Sequence, residues 1–156
     1  MSIPKRQSAI KHETTLNRLL PHLYSSAVRW TLTIIWTALA IKLMLSSSGD
    51  GTAVSWVSKL FGGTETIDAI GHIIINAILA LLWCWTISLY TSTAKMTRIV
   101  LIGGIIWCFG AELSQFFVPE RGASLIDLVA NIVGVLIGLM IFRLLLTFST
   151  KQHQAS

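Results

Sequence analysis

The sequence predicts an all-α polytopic membrane protein, a bundle of four transmembrane helices, and three observations carry that expectation. The 156 residues are 53% hydrophobic and only 12% charged, with a mean hydropathy of +0.70, which is too apolar for an ordinary soluble domain. Four apolar runs, each near the length needed to cross a hydrocarbon core of roughly 30 Å, are separated by polar or Gly-containing stretches. The net charge of +5 comes largely from Lys5, Arg6, Lys11, Arg18 and Arg29 at the front of the chain, so it reads as a signal of membrane orientation and excludes a nucleic-acid footprint.

Residues 1–26 are basic and polar, with Leu16, Leu19, Leu20 and Leu23 at helical spacing and Pro21 interrupting them. This fits a short segment lying on the membrane surface. The first span covers about 27–45, with Lys42 placed to snorkel. Ala38-Leu39-Ala40 imitates a signal-peptidase site, but the apolar run continues past it to Leu45, so the helix is expected to stay uncleaved. The loop 46–67 opens Ser/Gly-rich, and Val54, Trp56, Val57, Leu60 and Phe61 point to a short interfacial helix ended by Gly62-Gly63. Further spans follow at about 68–90, 99–118 and 124–148, with a hinge carrying Lys95 and Arg98 and a turn at 119–123, and the tail 149–156 is polar.

Four spans put both termini on one side. The positive-inside bias assigns that side to the cytoplasm, because Lys95, Arg98, Arg143 and Lys151 join the leading cations there, while Asp50, Glu65 and Glu120 fall in the two other loops. The expected location is the bacterial inner, or plasma, membrane, with loop 46–67 outside. Cys84 and Cys108 fall at different depths in this topology, so a disulfide between them is not expected.

The same topology gives the unusual polar residues a common depth. Asp68 and His72 are i,i+4 partners at the start of the second span, and Glu112 and Gln115 are i,i+3 partners at the end of the third. Asp127, Asn131, Gly134 and Gly138 form one stripe down the fourth. At 1.5 Å per residue, the six polar residues lie within about 10 Å of the outer helix ends. Gly134-x-x-x-Gly138 allows a neighbouring helix to come close. Carboxylates are costly in hydrocarbon, so Glu112 and Asp127 are expected to face a bundle interior or a wet cavity.

Each residue also has a structural role open to it. Asp68 fits a helix cap, Ser124 with Asp127 resembles a capping box, and His72, Gln115 and Asn131 fit interhelical hydrogen bonds. Glu112 sits about two turns inside the helix end and has no capping role, and Arg121 near the same end is its natural counter-ion. The candidate catalytic residues are therefore Glu112, His72 and Asp127, and the candidate ligand-binding residues are Arg121, Gln115, Asp68 and Asn131. His72 with two carboxylates has the donor types for a divalent ion, but no compact ligand motif is present, so no metal is assigned. No cofactor is identified, and neither Ser114 nor Ser124 sits in a nucleophile elbow.

Asp68 followed by His72, Glu112-Leu-Ser-Gln115, Arg121, and Asp127-Leu-Val-Ala-Asn131 leading into Gly134 and Gly138 resemble, in that order, the VanZ-like family of small bacterial membrane proteins over about residues 68–138. Ala69 stands where members often have Lys, and Ile73 and Asn76 stand where aromatics are often found. The resemblance implies a multi-pass envelope protein whose name-giving relatives are linked to resistance against teicoplanin-type glycopeptides. It implies no settled reaction.

Two functions are expected from these observations. In one, the outward cluster binds or processes an amphipathic envelope molecule: a lipid head group, a lipid-linked precursor or a lipoglycopeptide. In the other, the protein is a non-enzymatic scaffold and the cluster is an interhelical network. Membrane lipids are partners in both, nucleic acid in neither. Oligomeric state is not legible.

Overall fold

A computed structural model of the chain describes residues 25–45, 65–118 and 124–154. These form four helices: α1 (Ser26–Leu45), α2 (Glu65–Ile87), α3 (Thr93–Gln115) and α4 (Leu125–Gln154). All four are long and apolar enough to cross a membrane, and no strand occurs among the described residues. The expected interfacial helix at 54–61, the amphipathic segment before α1 and the turn bearing Pro119, Glu120 and Arg121 lie outside the described residues.

Helix ends differ from the hydropathy runs for a local reason. α3 begins at Thr93 and takes in Lys95 and Arg98, which the apolar pattern leaves in the hinge, because Ala94, Lys95, Met96 and Arg98 are strong helix formers whatever their polarity. α2 tightens at its end, where Tyr90 N–H donates to Ile87 O at 2.9 Å. α3 closes the same way, with Phe117 N–H to Ser114 O at 3.1 Å and Val118 N–H to Gln115 O at 3.1 Å. Such i→i+3 bonds satisfy terminal carbonyls that a helix leaves without partners.

The most extensive contact is between α2 and α4, and two glycines account for its closeness. A Cβ on Gly134 would lie 2.5 Å from the Ile73 carbonyl oxygen and 2.9 Å from Asn76 Cβ, and one on Gly138 would collide with the Ala77 carbonyl oxygen. Gly134 faces Ile73 and Gly138 faces Ala77, so positions advance together on both helices. α2 and α4 therefore run parallel.

α1 runs against α2. Arg29 reaches Trp85 O at 2.7 Å and Trp36 Nε1 reaches Ile75 O at 3.2 Å. The C-terminal ends of α1 and α3 meet where Gln115 Nε2 approaches Met44 O at 3.5 Å. One end of the bundle thus carries the N-termini of α2 and α4 with the C-termini of α1 and α3.

Between the helices Ala80, Cys84, Met96, Val100, Cys108, Val135, Leu139 and Phe142 form the apolar core. Both cysteines are buried and free. Leucines and isoleucines such as Ile34, Ile106 and Leu145 point outward, the pattern of a surface made for lipid rather than water.

At the opposite end lies Arg29, one of the cations that lead the chain. It lies inside α1 and is only 6% exposed, with its guanidinium 4.8 Å from the Trp85 ring centroid. Thr33 and Thr86 meet beside it, hydroxyl to hydroxyl, at 2.7 Å. Trp30 adds an edge contact to Trp83 and a hydrogen bond to Tyr90 Oη at 3.0 Å. A buried guanidinium is retained because a carbonyl and an aromatic face replace its water.

Candidate functional site

The close α2–α4 pairing assembles a polar cluster one helical turn from Gly134. Asn131, fully buried, is its hub. Its Oδ1 lies 2.9 Å from His72 Nδ1 and 2.6 Å from Asn76 Nδ2. Its Nδ2 donates to Glu112 Oε1 at 3.1 Å. Asn76 Nδ2 also reaches His72 O at 2.9 Å, and Trp107 Nε1 donates to Asn76 Oδ1 at 3.1 Å. Three helices therefore share one hydrogen-bonded network, and its buried polar groups find the partners that an apolar interior demands.

The network fixes a tautomer. Asn131 turns its nitrogen to the Glu112 carboxylate, so its oxygen faces His72 and accepts from Nδ1–H. Nε2 is then the nitrogen with the lone pair in the neutral ring. It makes no hydrogen bond in the network.

Glu112 does more than hold Asn131. Its Oε2 accepts the Ser124 N–H at 3.1 Å, while Ser124 Oγ accepts the Asp127 N–H at 3.4 Å. In a capping box the residue three positions into the helix returns a bond to the cap's own N–H. Here Glu112, from a different helix, accepts that bond, and the Asp127 carboxylate is turned to a cleft.

The cleft has a volume of about 160 Å³ and is lined by Asp68, Ser124, Ile126 and Asp127. One ring nitrogen of His72 and one carboxylate oxygen each from Asp68 and Asp127 lie within 4.8 Å of one another. Asp68 and Asp127 are half-buried, while His72 is 4% exposed. Each carboxylate also holds a further polar interaction.

A family model described as VanZ/LLP1 matches residues 19–146, most of the chain. The chain belongs to the VanZ/LLP1 family. Neither the curated proteins nor the solved structures include a match. Within this VanZ/LLP1 chain, the residues singled out by spacing divide into three groups. Asp68 and Asp127 line the cleft, with His72 beside them; Glu112 and Asn131 form the network behind it; Gln115, 1% exposed, turns toward Met44 on α1. Arg121 lies outside the described residues.

Two members of the network escape sequence reasoning. Asn76 continues the Asp68–His72 stripe by one more turn, the one signal in the sequence that points to it. Trp107 carries no such signal, since an indole in an apolar run reads as packing. Its ring also borders two apolar cavities, one of about 250 Å³ with Leu79, Trp83, Val100 and Gly104, and one of about 340 Å³ with Ile41, Met44 and Ala111.

Proposed function

We propose that this VanZ/LLP1 protein sits in the bacterial inner membrane with both termini cytoplasmic, and that its outward end binds the polar head of an amphipathic envelope molecule. The class includes membrane lipids, lipid-linked cell-wall precursors and lipoglycopeptides of the teicoplanin type. The observation that carries this reading is Trp107. Its indole nitrogen belongs to the polar network behind the cleft and its residue walls the apolar cavities, so one side chain links the polar cluster to surfaces suited to a hydrocarbon chain. Pockets that combine apolar walls with a few convergent polar groups are the usual form of a small-molecule site.

Binding is favoured over turnover by Glu112, because both of its oxygens already accept hydrogen bonds and it has the role of a positioning group. Asp68 and Asp127, which line the cleft, and His72 beside them are the residues a ligand there would meet. A scaffold reading has its own support in the buried Asn131–Asn76–Glu112 network, which fixes three helices whether or not anything binds.

The discriminating experiment complements cells lacking the protein with wild type, Asp127→Asn, Asp68→Asn and Trp107→Ala, scoring teicoplanin and envelope-stress resistance with membrane levels blotted alongside. Cleft variants that accumulate normally and fail to complement are expected. Resistance that follows membrane level alone, whichever residue is changed, would overturn the binding reading in favour of the scaffold.

A further inference from the structure

We infer that Asp68, His72 and Asp127 form a binding site for a divalent transition-metal ion of the Zn²⁺ or Mn²⁺ class. One imidazole nitrogen and two carboxylates, one from α4 and two side chains a turn apart on α2, converge to within 4.8 Å. The donor set is mixed, and imidazole with carboxylate suits Zn²⁺ and Mn²⁺ better than an all-oxygen ion such as Ca²⁺.

Proximity of carboxylates would not by itself make a site. The decisive observation is the state of His72, which is only 4% exposed and held by the groups behind it. Its Nδ1–H donates to Asn131 Oδ1 at 2.9 Å, and Asn131 is anchored in turn on Glu112 at 3.1 Å. A metal-ligating histidine characteristically donates its second N–H to an oxygen acceptor, which fixes both ring orientation and tautomer. With Nδ1–H engaged by Asn131, Nε2 is the ring nitrogen left for a ligand.

Bonds of about 2.1 Å put neighbouring ligand atoms about 3 Å apart. To close the remaining distance the two half-buried aspartates exchange polar interactions they already hold for the ion, with the imidazole as the fixed point. Three protein ligands leave at least one coordination position open to water or to an anionic oxygen. Resting on the head-group reading above, an ion here would bring added positive charge to a cleft lined by two carboxylates, and with it a place for the phosphate or carboxylate of a head group.

The test uses the full-length chain purified in mild detergent with a tag free of histidine, stripped with EDTA and titrated with ZnCl₂ and, separately, MnCl₂. Bound metal is measured after desalting, and thermal unfolding is followed with and without the ion. Asp68→Asn and Asp127→Asn keep side-chain shape, and Asn131→Ala removes the support of His72 without touching the metal. The expected result is one ion per chain with a rise in Tm, at least tenfold weaker binding in each aspartate variant, and about 10–100-fold weaker binding in Asn131→Ala. All variants retain the tail histidines His12, His22 and His153, so binding there cancels in the comparison.

Wild type and aspartate variants that bind alike, or a folded wild type with less than one ion per chain, would overturn the site. Lipid retention is then measured on the same samples with and without metal. Metal bound stoichiometrically with lipid retention indifferent to it leaves the ion site standing and removes its link to the head group.

Discussion

Replacing Gly134 by Ala tests the packing on which the whole site depends. The added Cβ would stand 2.5 Å from the Ile73 carbonyl oxygen and 2.9 Å from Asn76 Cβ. One of these is backbone, so no side-chain rotation relieves it, and α2 and α4 must part by about 1 Å to restore ordinary contact. Asn131, one turn away, would be carried with α4. Its bonds of 2.6 Å to Asn76 and 2.9 Å to His72 would stretch beyond the range of about 2.7–3.2 Å in which such bonds hold. Overpacking of this kind costs about 1–3 kcal/mol, and a buried polar group losing its partner costs about 1–3 kcal/mol more. A loss of at least about 2 kcal/mol is expected, a factor of about 30 in the folded-to-unfolded ratio. The assay is denaturation of detergent-solubilised protein followed by tryptophan fluorescence, with Gly103→Ala as control. No atom lies within 4 Å of a Cβ at Gly103, and a helical Gly→Ala change there should be neutral or stabilising. Equal stability of the two variants would refute the argument that the glycines set the α2–α4 distance.

Two further outcomes follow from the hydrogen bonds. Glu112→Gln must turn an amide nitrogen toward either the Ser124 N–H or the Asn131 nitrogen, both of which donate to the carboxylate; unfolding free energy should fall by about 1–3 kcal/mol, and an unchanged midpoint would remove Glu112 from the network. At the other end, Thr33→Val or Thr86→Val alone leaves a buried hydroxyl without its 2.7 Å partner, whereas the double change removes both. A double-mutant cycle should show coupling of about 0.5–1.5 kcal/mol, and simple additivity would contradict the pairing.

The sequence made the depth of the site legible but not its interior. Asp68 with His72, and Asp127 with Asn131, could be placed on shared faces because a helix has a fixed period. Gly134 and Gly138 indicated that something comes close. None of this says that α2 is the helix that comes close, which depends on the fit of two surfaces. Glu112 is legible as a buried carboxylate needing a reason, but its partner Ser124 sits 12 residues on in the chain, where its spacing to Asp127 already resembles a capping box. Arg29 was read by charge alone, and its burial against Trp85 depends on α2, 56 residues away. Gln115 shared the depth of the cluster yet lies on the side of α3 that meets α1, a distinction of rotation that i,i+3 spacing alone does not supply.

The parallel course of α2 and α4 also sets a timetable. His72 and Asn76 emerge from synthesis well before Asn131, which follows Asn76 by 55 residues. At about 5–20 residues per second, roughly 3–11 s separate them. During that interval a helix carrying an imidazole and an amide has been delivered toward the bilayer without the strand of chain that satisfies them, since α3 must be made first and run back across. These polar groups are therefore a burden at birth, eased in part by Trp107 on α3 and relieved in full when α4 arrives, so the contact that settles the pair in the bilayer is the one that completes the cluster.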